Sequence, residues 1–305
     1  MTKFKKSLII IFLFCFNIVF PNQNQSHFLS VCAMFKNEAP YFREWIEYHR
    51  LQGVEKFYLY NNDSSDNFLE ILGPYIEKQV VHLINWPTPK NAKNHTATQT
   101  NAYNNAIKNL RNVSQWIAFI DIDEFIVPMN QSSLKAYLHQ FDLEPSVGAI
   151  CVNWQLYGTS HINKLENDQL VTESFVMKAP EKFVAGSLLS NNHFKSIVRP
   201  NAVSKMLIHY ATLKKGFNEY PLRNPKAKAS MSRPLNIAEL RINHYWTRDE
   251  NFFYNVKIAR KKTVFKDSRD RIINIASQLN SEEDRSIFRF LPLLKERMAN
   301  YEICL

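Results

Sequence analysis

Asp121-Ile122-Asp123 sets two carboxylates two residues apart, directly after the apolar run Trp116-Ile117-Ala118-Phe119-Ile120 and before Glu124-Phe125-Ile126-Val127-Pro128. In an extended segment residues i and i+2 point the same way. The spacing therefore predicts that Asp121 and Asp123 converge on a hard divalent cation where a buried strand surfaces. Mg²⁺ and Mn²⁺ suit such oxygen-rich sites, and both bind phosphate oxygens in turn. The tripeptide alone is weak, because two solvated acids at a strand end give the same sequence. His244, in the alternating segment Leu240-Arg241-Ile242-Asn243-His244-Tyr245-Trp246, is a candidate third ligand, since neutral imidazole binds Mn²⁺ acceptably. The plain alternative for His244 is a hydrogen-bonded histidine at a strand end.

Two further polar loops carry groups suited to a nucleotide sugar. Lys36-Asn37-Glu38 follows the apolar run Phe28 to Phe35, and Asn61-Asn62-Asp63-Ser64-Ser65-Asp66 follows Lys56 to Tyr60. Asp63 or Asp66 can accept from ribose hydroxyls or a base, or can serve the turn and N-cap of a helix at 67. Lys257 and Arg260, one helical turn apart, can face a phosphate or simply form a solvated face. An acceptor-activating base has candidates in Glu124, Glu173 and His161, among which the sequence does not choose.

The elements that must position these groups alternate. Residues 28–35, 56–60, 79–83 and 116–120 read as strands; 41–52, 67–76 and 99–110 read as helices, with Gly53 a plausible stop. Such alternation predicts a parallel α/β sheet, whose ligands bind beyond the carboxyl ends of the strands. The three polar loops lie at those ends. Beyond them a short helix over 132–140 and a strand over 148–154 are expected, then long polar loops to 235. A mostly helical 251–305 follows, with Ser281 to Asp284 resembling a capping box.

The 305 residues hold only six glycines, and neither GxGxxG nor GxxxxGK[ST] occurs. Phosphate binding must then use a metal and side chains. Residues 1–150 carry 13 Lys+Arg against 13 Asp+Glu, whereas 151–305 carry 25 against 15, so the whole net charge of +10 sits in the second half. A basic half fits an anionic ligand, an acidic glycan or a membrane surface. No nucleic-acid-binding motif appears. Cys15, Cys32, Cys151 and Cys304 lack metal or disulfide spacing and read as small apolar residues. Lys3, Lys5 and Lys6 precede an apolar run from Leu8 to Phe20. That pattern reads as a signal peptide or uncleaved single-pass anchor over residues 1–27, so the protein is expected to be membrane-anchored or exported, on a side of the membrane the sequence leaves open. Asn-x-Ser/Thr sites stand at Asn24, Asn62, Asn94, Asn112 and Asn130.

Several of these segments together resemble glycosyltransferase family 92, formerly a domain of unknown function. They are Cys32 to Glu38, Glu44-Trp45, Tyr48-His49, Gly53, Tyr60 to Asp66, Ala118 to Phe125, Lys195 to Pro200 and Ile242 to Tyr245. The resemblance covers residues 28–300. It implies a GT-A fold, Rossmann-like, with a mixed sheet and flanking helices in one catalytic domain. Residues 28–150 would form its nucleotide-sugar half and 151–300 a basic acceptor-side half. It also implies a nucleotide-sugar donor, a divalent cation (usually Mn²⁺) and inverting transfer to a glycan acceptor, with UDP-galactose the expected donor. By position Asp121 and Asp123 match the metal motif, His244 matches a histidine of the family's Asn-His-Tyr segment, and Lys36, Asn37 and Glu38 match the donor-side loop. One segment departs: where the family often reads Trp-x-x-Phe-Gly-Ser-Ser-Gly-His, this chain has Trp154-Gln155-Leu156-Tyr157-Gly158-Thr159-Ser160-His161. Acceptor contacts are expected in that loop. The competing expectations are a sugar-phosphate nucleotidyltransferase and a non-catalytic nucleotide- or glycan-binding protein on the same scaffold.

Overall fold

A computed structural model of the protein describes residues 26–90, 94–185, 189–221, 237–259 and 266–300. The expected N-terminal signal or anchor, Asn24, Arg260, Cys15 and Cys304 lie outside the described residues. No helix among the described residues is long and apolar enough to cross a membrane.

The first half forms as the alternation predicts. Strands β1 (His27–Phe35), β2 (Lys56–Asn61), β3 (Val81–Asn85) and β4 (Ser114–Phe119) are linked by helices α1 (Phe42–Leu51), α2 (Phe68–Glu77) and α3 (His95–Leu110). They pair in parallel in the order β3-β2-β1-β4. Burial on both faces explains why β1 and β4 are near-continuous apolar runs rather than alternating ones. α1 ends at Gly53, whose φ of +91° is open to glycine at little cost.

The second half completes the same sheet. Five more strands join it: β5 (Glu124–Pro128), β6 (Val147–Leu156), β7 (Phe194–Val198), β8 (Asn218–Tyr220) and β9 (Leu240–His244). β7 runs antiparallel between β4 and β6, β9 lies parallel to β6 and antiparallel to β5, and β8 pairs with β6. The result is one mixed nine-stranded sheet with flanking helices, as the GT-A expectation requires. β6 spans residue 150, so the two proposed halves share a sheet rather than dividing at a linker.

Three expectations fail. Residues 155–235 are not merely loops: Phe194–Val198 is a fully buried central strand, unreadable as such because it holds Lys195 and Ser196. Glu282–Glu283 form a two-residue strand against Met177–Lys178, so Ser281 to Asp284 is not a helix start. Asp121-Ile122-Asp123 is not extended. β4 ends at Phe119, β5 begins at Glu124, and the tripeptide forms the tight turn between them, closed by the Glu124 N–H donating to the Asp121 carbonyl at 3.1 Å. The period-2 argument, which needs an extended backbone, does not apply to a turn.

Candidate functional site

The three polar loops do converge. Asn37 sits at φ +58° in the loop after β1; its N–H donates to Ser64 Oγ at 3.0 Å and its Oδ1 accepts from the Ser65 N–H at 2.8 Å. Asp66 accepts from the Ala39 N–H at 2.8 Å. That bond, rather than capping, is its structural duty, because α2 begins after Asn67 with no side-chain cap. Asp63 (φ +56°) takes the Thr88 N–H at 3.1 Å, and Asn62, buried, donates to the Trp86 carbonyl and Thr88 Oγ1 at 2.9 Å each. Lys36 is exposed beside them. The ends of β1, β2 and β3 are thus stitched into one rigid lip.

Each aspartate of the turn is held by a different cation. Asp121 Oδ2 lies 2.6 Å from Lys195 Nζ, and its Oδ1 accepts from Gln99 Nε2 at 3.0 Å and Tyr103 Oη at 3.4 Å. Gln99 and Tyr103 stand one turn apart on α3, as spacing i, i+4 requires to meet one target. Asp123 Oδ1 faces His244 Nε2 at 3.5 Å, and Asp123 Oδ2 faces Lys257 Nζ at 3.1 Å. β9 delivers His244: it pairs with Glu124 across β5, and the Tyr245 N–H donates to the Asp123 carbonyl at 2.9 Å. Burial alone would raise the Asp123 pKa, but Lys257, His244 and Arg248 outweigh it and hold the carboxyl well below the ordinary range.

Glu124 lies beneath the turn. It is fully buried, its Oε2 accepts from the Asp121 N–H at 2.8 Å, and Lys195 is 3.6 Å away. Burial pushes its pKa well up despite Lys195, with Asp121 and Asp123 adding to the rise. For Lys195, burial works against the charge, but Asp121 and Glu124 win and raise its pKa. Glu124 is therefore a protonatable prop for the turn. It has no exposed surface in this arrangement and is turned toward Asp121 and Lys195. Glu173 is occupied elsewhere, 2.6 Å from Lys295. His161 lines a cleft with Glu250 and Tyr254.

Two participants escaped sequence reasoning. Lys195 lies inside the buried strand β7, where an apolar residue is expected. Arg248, four residues past His244, pairs with Glu38, stacks on the Tyr41 ring at 3.6 Å, and sits at φ +52° while almost wholly buried. Burial disfavours its charge, but Glu38, Tyr41 and Asp123 together raise its pKa. Arg248 links the β1 loop to the aspartate turn. Their only local signals are a lone lysine in an apolar run and an arginine after Asn-His-Tyr-Trp-Thr.

No group of three or more His, Cys, Asp or Glu able to hold a metal occurs among the described residues. Asp121 therefore does not join Asp123 and His244 in the arrangement described. What the site does show is a set of buried polar atoms without hydrogen-bond partners: Glu124 Oε1, His244 Nδ1, Arg248 Nη1 and Nε1 of Trp154, whose ring lies tilted against His244 with centroids 4.3 Å apart. Each such atom costs about 1–3 kcal/mol if left dry. Concentrated at one sheet edge, they mark a place that a polar ligand or water would satisfy.

A rice (Oryza sativa subsp. japonica) glycosyltransferase family 92 protein is 29% identical over 277 residues, covering 86% of this chain and 42% of its own length. An Arabidopsis thaliana protein of the same family is 28% identical over 209 residues, covering 64% of this chain and 33% of its own. The chain thus spans less than half the length of these relatives. Among solved structures, Staphylococcus aureus TarS 1–349 aligns over 57% of this chain and 47% of that one, at 16% identity and a TM-score of 0.34. A putative glucose-1-phosphate thymidylyltransferase from Bacillus anthracis aligns over 82% and 80%, at 9% identity and a TM-score of 0.32. Both likenesses are too low to carry an assignment. The sequence profile of glycosyltransferase family 92 matches residues 26–282, and the chain belongs to that family.

Proposed function

We propose that the protein is a glycosyltransferase that moves a sugar from a nucleotide-sugar donor to a glycan acceptor. The observation that carries this is the ring of paired charges at the carboxyl ends of β1 and β4: Glu38 with Arg248, Asp123 with His244 and Lys257, and Asp121 with Lys195. Above the buried Glu124, whose pKa burial raises, three carboxylates there face three permanent cations. The site is near neutral, so a departing diphosphate needs additional positive charge.

Asp123 and His244 fit a divalent cation. An oxygen and an imidazole nitrogen 3.5 Å apart, with a second ring nitrogen lacking a partner, form a donor pair of the right chemistry. Mg²⁺ and its relatives are commonly held by one or two protein ligands and complete their shells with water and substrate phosphates. When bound, Mn²⁺ or Mg²⁺ would supply a Lewis acid for the leaving diphosphate. Lys257 and Arg248 bring permanent positive charge to the same edge. Asp63, Asp66, Asn62 and Asn37 shape the lip on which a ribose and base would rest, with Lys36 and Glu38 beside it. In the transfer, a bond forms between an acceptor oxygen and the anomeric carbon. The bond to the diphosphate breaks with its electron pair leaving on the nucleotide, and the acceptor proton passes to a base. Among the candidate bases, His161 lines a cleft.

UDP-galactose is the donor expected from the family resemblance. The test is UDP or GDP release from a panel of UDP- and GDP-sugars, with and without Mn²⁺, by the purified chain. Metal-stimulated release from one UDP-sugar supports the reading. No release and no nucleotide binding would refute it. Formation of a nucleotide sugar from a sugar phosphate and a nucleoside triphosphate would establish the nucleotidyltransferase instead.

A further inference from the structure

A second concavity lies beside the charged edge. It is a cleft of about 150 Å³, lined by Thr159, His161, Glu250, Phe253, Tyr254 and Asn280, with Ile273, Ala276 and Ser277 closing one wall. A cavity of roughly that volume holds one six-membered ring such as benzene.

The cleft is built rather than incidental. Ser160 and His161 are consecutive non-glycine residues at positive φ, +51° and +59°. Such strain persists only where the surroundings fix it, and it clusters at ligand sites. Here Asn280 fixes it: Oδ1 accepts from the Ser160 N–H at 2.9 Å and Nδ2 donates to Thr159 Oγ1 at 3.2 Å. Gly158 permits the approach, since a Cβ there would fall 2.1 Å from Asn280 Oδ1. The opposite wall is tied to the same loop, with the Glu250 N–H donating to the Ile162 carbonyl at 2.9 Å.

The lining chemistry is that of a sugar subsite. Tyr254 presents an aromatic ring 46% exposed, one of few large hydrophobic side chains left open to solvent. Around it stand a carboxylate (Glu250), an imidazole (His161), a hydroxyl (Thr159) and an amide (Asn280), which can meet hydroxyl groups on a ring's edge. The wall also reaches the donor edge. Phe253 and Tyr254 begin the π-helical stretch Phe253–Ile258, whose Lys257 contacts Asp123. Glu250 follows Arg248 by two residues. π-Helical turns of this kind recur at functional sites.

We infer that this cleft binds the terminal hexopyranose ring of the glycan acceptor, with Tyr254 under the ring and Glu250 and His161 toward its hydroxyls. The inference rests on the glycosyltransferase reading above. It is tested by nucleotide release from the active UDP-sugar in the presence of a panel of methyl α- and β-hexopyranosides. At least one glycoside should accelerate release. Tyr254→Ala and Ser277→Phe, which remove the platform and fill the cleft, should each raise that glycoside's half-saturating concentration tenfold or more. Tyr254→Phe, which keeps the ring, should stay within threefold. UDP affinity, measured by calorimetry, reports whether each variant is folded. If the wild type releases no nucleotide from any donor, the functional reading fails and this inference with it. If it releases nucleotide but no glycoside accelerates it, or both cleft variants keep the half-saturation within twofold, the acceptor assignment alone is overturned.

Discussion

Asp123 and Arg248 show how much of the site depends on charges that meet only in the folded chain. Arg248 and Glu38 are 210 residues apart in sequence, and Lys195 and Asp121 are 74 apart. No local pattern encodes such pairs, so the carboxylates, His244 and Lys257 were legible in the sequence while Arg248 and the role of Lys195 were not. The aspartates announced themselves through the apolar run before them. Their geometry did not, because β4 ends at Phe119, one residue early, and the tripeptide falls in a turn instead of an extended segment. Removing Arg248 would strand Glu38 against Asp123. Breaking a buried pair from one side typically costs 3–5 kcal/mol. Arg248→Met is expected near the lower end, roughly 3 kcal/mol, because Glu38 keeps 19% exposure of its side chain. Urea denaturation of Arg248→Met, Glu38→Gln and the double variant would show it. The double variant should recover part of the loss, and strict additivity would argue against the pair.

Helix α1 illustrates what periodicity reads well and what it leaves out. Tyr41, Phe42, Trp45, Ile46 and His49 stand at helical spacing, and all but the half-buried Tyr41 are fully buried. That spacing did not reveal that His49 is the bolt between α1 and β5. Nδ1 lies 2.8 Å from the Trp45 carbonyl, and the Ile126 N–H donates to Nε2 at 3.3 Å. That arrangement requires a neutral ring, and burial lowers the His49 pKa to about 3. His209 is lowered to about 3 as well, by burial and the nearby Lys195. A histidine whose folded pKa is depressed stabilises the fold fully above its unfolded value of about 6.5. That contribution is lost as pH falls toward the folded value. Each histidine should therefore cost about 2 kcal/mol of stability between pH 7 and pH 5. Chemical denaturation across that window should show the fall, and His49→Gln should flatten it by about half. Equal slopes for variant and wild type would contradict the account. Strands β5 and β7 were missed for a related reason: each carries a buried ionisable residue, Glu124 or Lys195, where periodicity expects an apolar one. Both exceptions to the pattern lie at the candidate site.

At the scale of the whole molecule, a parallel α/β half and a mixed second half share one sheet, and the charged edge forms where the two meet. β7, inserted between β4 and β6, brings Lys195 to the turn; β9, beside β5, brings His244; the residues just after β9 bring Arg248 and Lys257. The basic second half thus supplies the cations and the balanced first half supplies the carboxylates. Three of the 25 Lys+Arg beyond residue 150, where the whole net charge of +10 lies, thus reach the site. The fold class was legible because strand–helix alternation is a local signal. The closure of the sheet was not, because antiparallel insertion depends on pairings across long sequence separations. The central claim is that this meeting point binds a nucleoside diphosphate with a divalent cation at Asp123 and His244. Calorimetric titration of UDP into the protein, with Mn²⁺ and then with chelator, tests it most directly. The account predicts saturable binding with Mn²⁺ that weakens at least tenfold, about 1.4 kcal/mol or more, both on chelation and in Asp123→Asn. Absence of UDP binding by the wild type with Mn²⁺ or Mg²⁺, or an affinity that Asp123→Asn leaves unchanged, would contradict it.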